Sequence, residues 1–88
     1  MKAFVKVDEK DNVATLIKDA KKGECLAGIS LLEDIASGHK FALKNIKKGE
    51  LIIKYKEAIA KASKDIAKGS WVHIHNTEGI RGRGDRND

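Results

Sequence analysis

The sequence has little cysteine, few aromatic residues and no long apolar run, and each shortage excludes a class of protein. Cys25 is the only cysteine among the 88 residues, so neither an internal disulfide nor a zinc site of several thiolates can form. Aromatic residues make up 5% of the chain, too few for a platform that stacks single-stranded nucleic acid. No apolar stretch approaches the roughly 20 residues that cross a bilayer, and residues 1–6 lack the apolar core of a signal peptide.

These shortages indicate a cytoplasmic protein without a membrane partner. A lone cysteine agrees with a reducing compartment, and we expect Cys25 to be a small, buried apolar side chain. The length predicts one domain with a modest core, for which a partner that covers more of its surface matters.

The charge of the chain is basic but mixed. Lysine and arginine number 18 against 13 aspartate and glutamate, which gives a formal net charge of +5. This balance favours an anionic partner: a sugar-acid carboxylate, a phosphate, a nucleic acid or an acidic protein surface. Because acidic residues are interspersed and aromatic residues are scarce, we expect no nucleic acid among the partners.

The spacing of apolar residues predicts a mainly β chain with one short helix. Alternation over residues 2–8 is typical of a half-buried strand. Asp11 or Asn12 is the expected N-cap of the helix and Gly23 its C-cap. The apolar face of this helix consists of Val13, Leu16, Ile17 and Ala20. Further short strands are predicted over residues 25–32, 41–46, 51–55 and 71–76, whereas residues 57–67 fit either a helix or an extended segment.

A turn with lysine before glycine occurs three times, at residues 20–24, 46–50 and 66–70. Glycine accepts the positive φ that such turns require, so we interpret the three turns as equivalent entrances to strands. Their unequal spacing argues against a solenoid. We expect one domain over residues 1–77 and a flexible tail, rich in arginine and glycine, over residues 78–88.

Two histidines stand out near the end of the domain. His73 and His75 lie two residues apart on the last predicted strand, so both imidazoles share one face. Together they can bind a divalent metal, or one can transfer a proton while the other orients a carboxylate. A solvated strand face with two inert histidines is the alternative.

Other polar residues are candidates for binding an anion. His39 and Lys40 follow a glycine and offer two donors, although a turn with a solvated lysine explains them equally well. Arg81 and Arg83, spaced by glycine, can wrap a carboxylate or a phosphate, or belong to a solvated tail. Trp71 is expected to anchor the core at the start of its strand.

The order of the motifs is more specific than any one motif. An Asp-Asn pair at residues 11–12 and a Gly-His-Lys motif at 38–40 precede a Gly-Glu pair at 49–50, a Lys-Tyr pair at 54–55 and a Val-His-Ile-His-Asn motif at 72–76. In this order they resemble the SAF domain of altronate and galactarate dehydratases, over nearly the whole chain. In some relatives, such as the two-part sulfolactate sulfo-lyases, this domain is a separate small subunit, and the tail of this chain resembles that of the stand-alone subunits.

The resemblance implies a β-clip fold, a compact arrangement of bent hairpins, and a role in a lyase that removes water from a 2-hydroxy acid. It implies a larger partner subunit with most of the catalytic apparatus, and ferrous iron as the cofactor associated with the dehydratases. Altronate, galactarate, a related hexonate and sulfolactate all remain open as substrates. The alternative is a non-catalytic SAF module that binds a carbohydrate or a partner. A chain isolated from its partner is expected to self-associate if it exposes an apolar partner face.

The resemblance also assigns candidate roles to individual residues. His73 and His75 are the candidate catalytic residues, either as proton donor to the leaving hydroxyl or as metal ligands. The candidate substrate-binding residues are Asp11, Asn12, His39, Lys40, Asn76, Arg81 and Arg83. Relatives usually carry glycine where this chain has Lys56 and Ala60. For this reason the Lys-Tyr pair at residues 54–55 is left out of the candidate residues.

Overall fold

The computed structural model describes residues 3–80, in which all regular structure is β. Nine short strands occur within this range: β1 (Phe4–Val5), β2 (Val13–Leu16), β3 (Cys25–Leu26), β4 (Ile29–Ser30), β5 (Lys40–Ala42), β6 (Leu51–Lys54), β7 (Glu57–Ala62), β8 (Trp71–Val72) and β9 (Thr77–Glu78). The same residues include no helix with the length and apolarity to cross a membrane. The prediction of a mainly β single domain is confirmed.

The short helix expected after Asn12 is wrong, because this segment forms β2 and is buried on both faces. Ala14 and Leu16 pack into one apolar cluster, whereas Val13 packs into a second cluster. A strand covered on both faces carries a nearly continuous apolar run instead of an alternating one. Such a run imitates the apolar stripe of a helix, and the tertiary environment decides between the two.

The remaining predicted strands are confirmed only in part, because several are shorter than predicted. Residues 25–32 form the β3–β4 hairpin, and the ambiguous segment at 57–67 is a strand in its first half. The strand predicted over residues 71–76 ends after two residues. Cys25 is exposed instead of buried.

Two sheets and a hairpin divide the interior into two cores. A four-stranded antiparallel sheet has the order β1-β2-β5-β8, and a three-stranded antiparallel sheet has the order β6-β7-β9. In the first sheet, Thr15 lies between Val5 and Lys40, and Lys40 pairs in turn with Val72. One core lies between this sheet and the β3–β4 hairpin, and the other lies between it and the strands β6 and β7.

Four turns of one design connect the strands and pair two by two. Ala20 and Ile35 exchange two backbone hydrogen bonds, and Ile46 and Ile66 do the same. In each pair, side-chain oxygens accept backbone N–H groups of the facing turn: Asp34 from Lys22, Asp19 from Ser37, Asp65 from Lys48 and Asn45 from Lys68. The three lysine–glycine turns are therefore equivalent, as predicted. The fourth turn, at residues 35–39, was not predicted, because serine and not lysine precedes its glycine.

Gly69 and Gly49 occupy equivalent turns and give a matched test of packing. Their φ values are 92° and 91°, so alanine is strained at both positions. A Cβ at Gly69 would collide with the backbone oxygen of Ser30, whereas one at Gly49 would meet no atom within 4 Å. We expect Gly69→Ala to lower the free energy of unfolding by roughly 1–3 kcal/mol more than Gly49→Ala. Urea unfolding measures both, and equal losses would contradict the close approach.

Candidate functional site

Three imidazoles surround the single indole of the chain. The ring of Trp71 is nearly parallel to that of His73, with centroids 5.1 Å apart, and the His75 ring lies 5.0 Å away. His39 stands edge-on to Trp71 and His73, with centroids at 5.4 and 5.2 Å. These separations suit attractive aromatic contacts. We name the four residues the imidazole–indole cluster.

The register of β5 and β8 explains why the cluster forms. Lys40 lies opposite Val72 in this antiparallel pair, so one further step along each strand places His39 opposite His73. Side chains two residues apart share a face, which adds Trp71 to the same side. The cluster therefore occupies one face at the end of the sheet.

Trp71 is held through both its backbone and its side chain. Its backbone N–H donates to Oε2 of Glu33 at 2.9 Å, and its indole N–H donates to Nδ1 of His39 at 3.2 Å. An indole nitrogen can only donate, so Nδ1 of His39 is the acceptor. When the ring is neutral, its proton lies on Nε2.

The turn before β5 positions His39. Gly38 adopts a φ of 87°, and its N–H donates to the carbonyl of Leu16. The Leu16 N–H in turn donates to the carbonyl of His39 at 2.9 Å. These two bonds tie the turn to β2 and fix the backbone on either side of the imidazole.

A buried asparagine shapes the loop that carries the other two imidazoles. Oδ1 of Asn76 accepts the N–H of His73 at 3.0 Å, and Nδ2 donates to the carbonyl of Trp71 at 2.9 Å. The Asn76 backbone N–H also donates to the His73 carbonyl. The amide replaces the strand that was predicted here and keeps His73 and His75 beside the indole.

His73 lies between two shallow recesses. The first, the Trp71 recess, has a volume of about 320 Å³ and is also lined by His39 and Trp71. The second, the Lys40 recess, has a volume of about 260 Å³ and is lined by Lys40 and a mainly apolar wall. Burial lowers the pKa of Lys40, and the nearby positive charge of Lys54 lowers it further.

Asp11 joins the N-terminal loop to the β6–β7 hairpin. Its carboxylate accepts the backbone N–H groups of Val7, Asp8 and Lys56 at 3.2, 3.2 and 2.8 Å. Tyr55 and Lys56 form the hairpin turn with φ values of 54° and 72°, a conformation that glycine adopts more readily. The carboxylate satisfies the N–H of Lys56 in this turn.

Asn12 extends the pairing of β6 through its side chain. Its Nδ2 donates to the carbonyl of Leu51 at 2.9 Å, and its Oδ1 accepts the N–H of Ile53 at 2.7 Å. Its backbone N–H donates to the Ile53 carbonyl. Asp11 and Asn12 are therefore not helix caps, and their polar side-chain atoms are bonded to the backbone of other segments.

The described residues do not assemble a complete metal site. Among residues 3–80, no three side chains of His, Cys, Asp or Glu are grouped so that they could hold an ion. In the imidazole–indole cluster, Nδ1 of His39 is already occupied by the indole N–H. Ferrous iron does not fit this donor set on its own, and the assignment of His73 and His75 as metal ligands stays a prediction.

The structure brings together part of the predicted site. His39, His73 and His75 belong to the imidazole–indole cluster. Lys40 lies on the other side of the His73 imidazole, in the Lys40 recess. The remaining candidates lie apart from the cluster or shape it: Asp11, Asn12 and Asn76 are buried and bonded to backbone groups, and Arg81 and Arg83 lie outside the described residues. A substrate-binding role for any of them stays a prediction.

Trp71 is the central residue that the sequence did not single out. It packs against the first apolar cluster, as expected of a core anchor, but it also contacts every imidazole of the chain. The sequence contains a signal for this position of Trp71. Residues 71, 73 and 75 are spaced two apart, and in an extended segment such side chains lie on one side.

The family model for the altronate/galactarate dehydratase SAF domain matches residues 2–79. The chain belongs to this family. The resemblance carried by the Gly-His-Lys and Val-His-Ile-His-Asn motifs is confirmed.

Relatives of the SAF domain include both long enzymes and short subunits. It is 43% identical to altronate dehydratase of Bacillus subtilis (strain 168) over 82 residues, which cover 89% of the chain and 16% of that protein. It is 51% identical over 43 residues to (2R)-sulfolactate sulfo-lyase subunit alpha of Paracoccus pantotrophus, covering 49% of the chain and 64% of that subunit. The subunit of the same name from Chromohalobacter salexigens is 29% identical over 86 residues, which cover 85% of the chain and 92% of the subunit. The chain thus spans only 14–16% of the dehydratases that it matches.

Removal of the indole N–H tests the tautomer of His39. In the wild-type SAF domain we expect the neutral His39 ring to carry its proton on Nε2, since Nδ1 accepts from Trp71. Trp71→Phe keeps an aromatic ring but removes the donor, so both tautomers become populated. Side-chain ¹⁵N NMR reports the tautomer. An Nδ1-protonated His39 in the wild type would rule out this hydrogen bond.

Replacement of Asp11 tests the pH dependence of the hairpin attachment. Burial raises the pKa of Asp11, but the backbone N–H donors around it lower the pKa more, so that the net shift is downward. A carboxyl with a lowered folded pKa stabilises the protein above its unfolded pKa, and this stabilisation is lost as the pH falls through the folded pKa. We expect Asp11→Asn to cost about 1–3 kcal/mol in the free energy of unfolding at neutral pH, and less in strong acid.

Unfolding by urea at several pH values measures this difference. Glu9→Gln is a suitable control, because Glu9 is an exposed carboxylate in the same loop. If the cost of Asp11→Asn does not shrink toward low pH, the carboxylate does not hold the hairpin in its charged form.

Proposed function

We propose that this SAF domain is the small subunit of a cytoplasmic hydro-lyase that removes water from a sugar acid of the altronate or galactarate type. A separate, larger subunit supplies most of the catalytic groups. The observation that carries the proposal is the imidazole–indole cluster, in which two histidines of the family motif are held beside one indole at the surface. The free and exposed Cys25 agrees with a reducing compartment.

The open shape of the recesses supports a partner. Ligand pockets that enclose a small molecule measure about 300–1,000 Å³, and the two recesses beside His73 have volumes of about 260 and 320 Å³. Both are shallow, so a second surface must enclose the substrate. The Chromohalobacter salexigens relative, which the chain matches over 92% of its length, is itself named a subunit.

This second surface would cover apolar side chains that the domain leaves exposed. Ile74 lies between the two histidines of the loop and is 80% exposed. Val7 and Ile17 are 62% and 51% exposed. Large apolar side chains left at the surface favour association, with the larger subunit or, in its absence, with a second copy of the chain.

The reaction assigns a proton donor to this domain. A base supplied by the larger subunit takes the proton beside the carboxylate, and the electron pair left behind forms a carbon–carbon double bond as the hydroxyl leaves the next carbon. The hydroxyl leaves as water when it receives a proton. Histidine side chains commonly exchange protons near neutral pH. Because His75 is exposed and His73 lines both recesses, we assign proton donation to His75 and orientation of the substrate to His73.

No step is assigned to a metal in this mechanism, because residues 3–80 do not form an iron site. Ferrous iron remains a prediction for the assembled enzyme, and metal analysis of the purified assembly tests it directly.

Co-purification from the native host tests the assembly. We expect a tagged chain to retain a larger protein in stoichiometric amount under mild salt, and the pair to dehydrate at least one sugar acid. The non-catalytic alternative predicts equal turnover by the larger protein with and without the SAF domain, and a change only in its stability. A chain that emerges alone contradicts the subunit proposal.

Loss of His75 separates catalysis from assembly. We expect His75→Ala to lower kcat of the assembled enzyme by a factor of about 10²–10⁴, the usual contribution of a general acid, while the subunits still co-purify. Lys64→Ala serves as the control, because Lys64 is exposed and lines neither recess. Unchanged turnover of the His75 variant would remove the proton-donor assignment.

A further inference from the structure

We propose that Lys40 and Lys54 together bind one carboxylate group of the substrate at the mouth of the Lys40 recess. Lys54 is not among the site residues expected from the sequence. The proposal rests on the proposed function only for the identity of the ligand, since the two cations and the recess belong to the described geometry.

Lys40 lines the recess, and the alternation along β6 puts Lys54 on the strand face that leads to its edge. Ile52 of β6 lines the recess as well. Lys54 follows Ile52 by two residues, and such residues share a strand face. The register shift in this hairpin adds Ile59 as an extra residue on β7, so the alternation along β6 is preserved.

Within the described part of the chain no carboxylate pairs with either lysine, although the Lys54 ammonium lies over the Tyr55 ring at 4.9 Å from its centroid. Among residues 3–80, the ion pair that forms joins Lys61 to Glu78 at 3.6 Å. Lys40 and Lys54 are both half-buried, and their mutual repulsion has no compensating carboxylate there. Two like charges that share a partly buried site favour a bound counter-ion.

A buried hydroxyl beside Lys40 also lacks a partner. Oγ1 of Thr15 is buried and makes no hydrogen bond among the described residues. Thr15 pairs with Lys40 across β2 and β5, so the two side chains lie next to each other on one sheet face. Buried hydroxyls nearly always have a partner, and this face therefore carries the Lys40 ammonium beside a hydroxyl that is unpaired among the described residues.

The shape of the recess limits what it can hold. Its volume of about 260 Å³ lies below the range of about 300–1,000 Å³ for pockets that enclose a small ligand. Its wall is largely apolar, with Ile52, Ile59 and Val72. It therefore accepts one end of a sugar acid and leaves the rest to the partner. Because His73 lines the same recess, a carboxylate held there places the adjoining carbons near that imidazole.

NMR titration of the full chain with galactarate tests the site. We expect the side-chain signals of Lys40 and Lys54 to shift together on addition of galactarate, and added salt to weaken the binding. Lys54→Met keeps the length of the side chain without its charge, and we expect it to raise Kd about tenfold. In the free protein, this variant also raises the pKa of Lys40, because the neighbouring charge is gone.

Three controls make the result specific. Lys61→Met removes a lysine of the same sheet that Glu78 already neutralises, and it leaves Kd nearly unchanged. Lys54→Arg keeps the charge and restores binding. Galactitol, which has the hydroxyls but no carboxylate, shifts neither lysine.

Two outcomes would overturn the proposal. One is that galactarate leaves both lysine signals unmoved, and the other is that Lys61→Met weakens binding as much as Lys54→Met. Either can occur while His75→Ala still lowers turnover, in which case the carboxylate site fails and the proposed function stands.

Discussion

The rest of the molecule depends on two strands, β2 and β5, that are covered on both faces and paired on both edges. Backbone groups in such strands have no access to water and must find partners within the protein. Where the short strands end, asparagine side chains take over this task. Asn12 continues the pairing toward β6, and Asn76 satisfies the backbone beyond β8. Polar motif residues are thus buried because they complete the hydrogen bonding of a very small sheet.

The candidate site is a consequence of how the paired turns deliver strands to this sheet. The turn at residues 35–39 leads into β5, and the equivalent turn at residues 66–70 leads into β8. Because both strands are short, the residue just before β5 lies opposite the residue just after β8. His39 and His73 meet for this reason, and Trp71 joins them through the two-residue repeat. Lys40 and Val72 face the other side, where the second recess lies. One sheet end therefore presents an aromatic face and a cationic face.

The sequence was sufficient for the family, the mainly β class and most strand positions, since each depends on motifs or on local alternation. It failed at Val13–Leu16, where coverage on both faces removes the alternation that distinguishes a strand from a helix. It also failed after Val72, because a side-chain amide, and not a strand partner, holds that backbone. His73 and His75 were predicted to share a strand face, but the strand ends at Val72, and the loop after it holds both imidazoles beside Trp71. The approach of His39 was not predicted, because it depends on the register between strands that are 30 residues apart in the chain, and nothing local encodes that register.

The position of Trp71 has a practical consequence. It is the one tryptophan of the chain, so the ultraviolet emission of the protein originates almost entirely from an indole in contact with all three imidazoles. Protonation of a neighbouring ring, arrival of an anion or the approach of a second protein each alters the surroundings of that indole. The domain therefore contains a built-in optical reporter of its own candidate site, which can be followed at low concentration without any label.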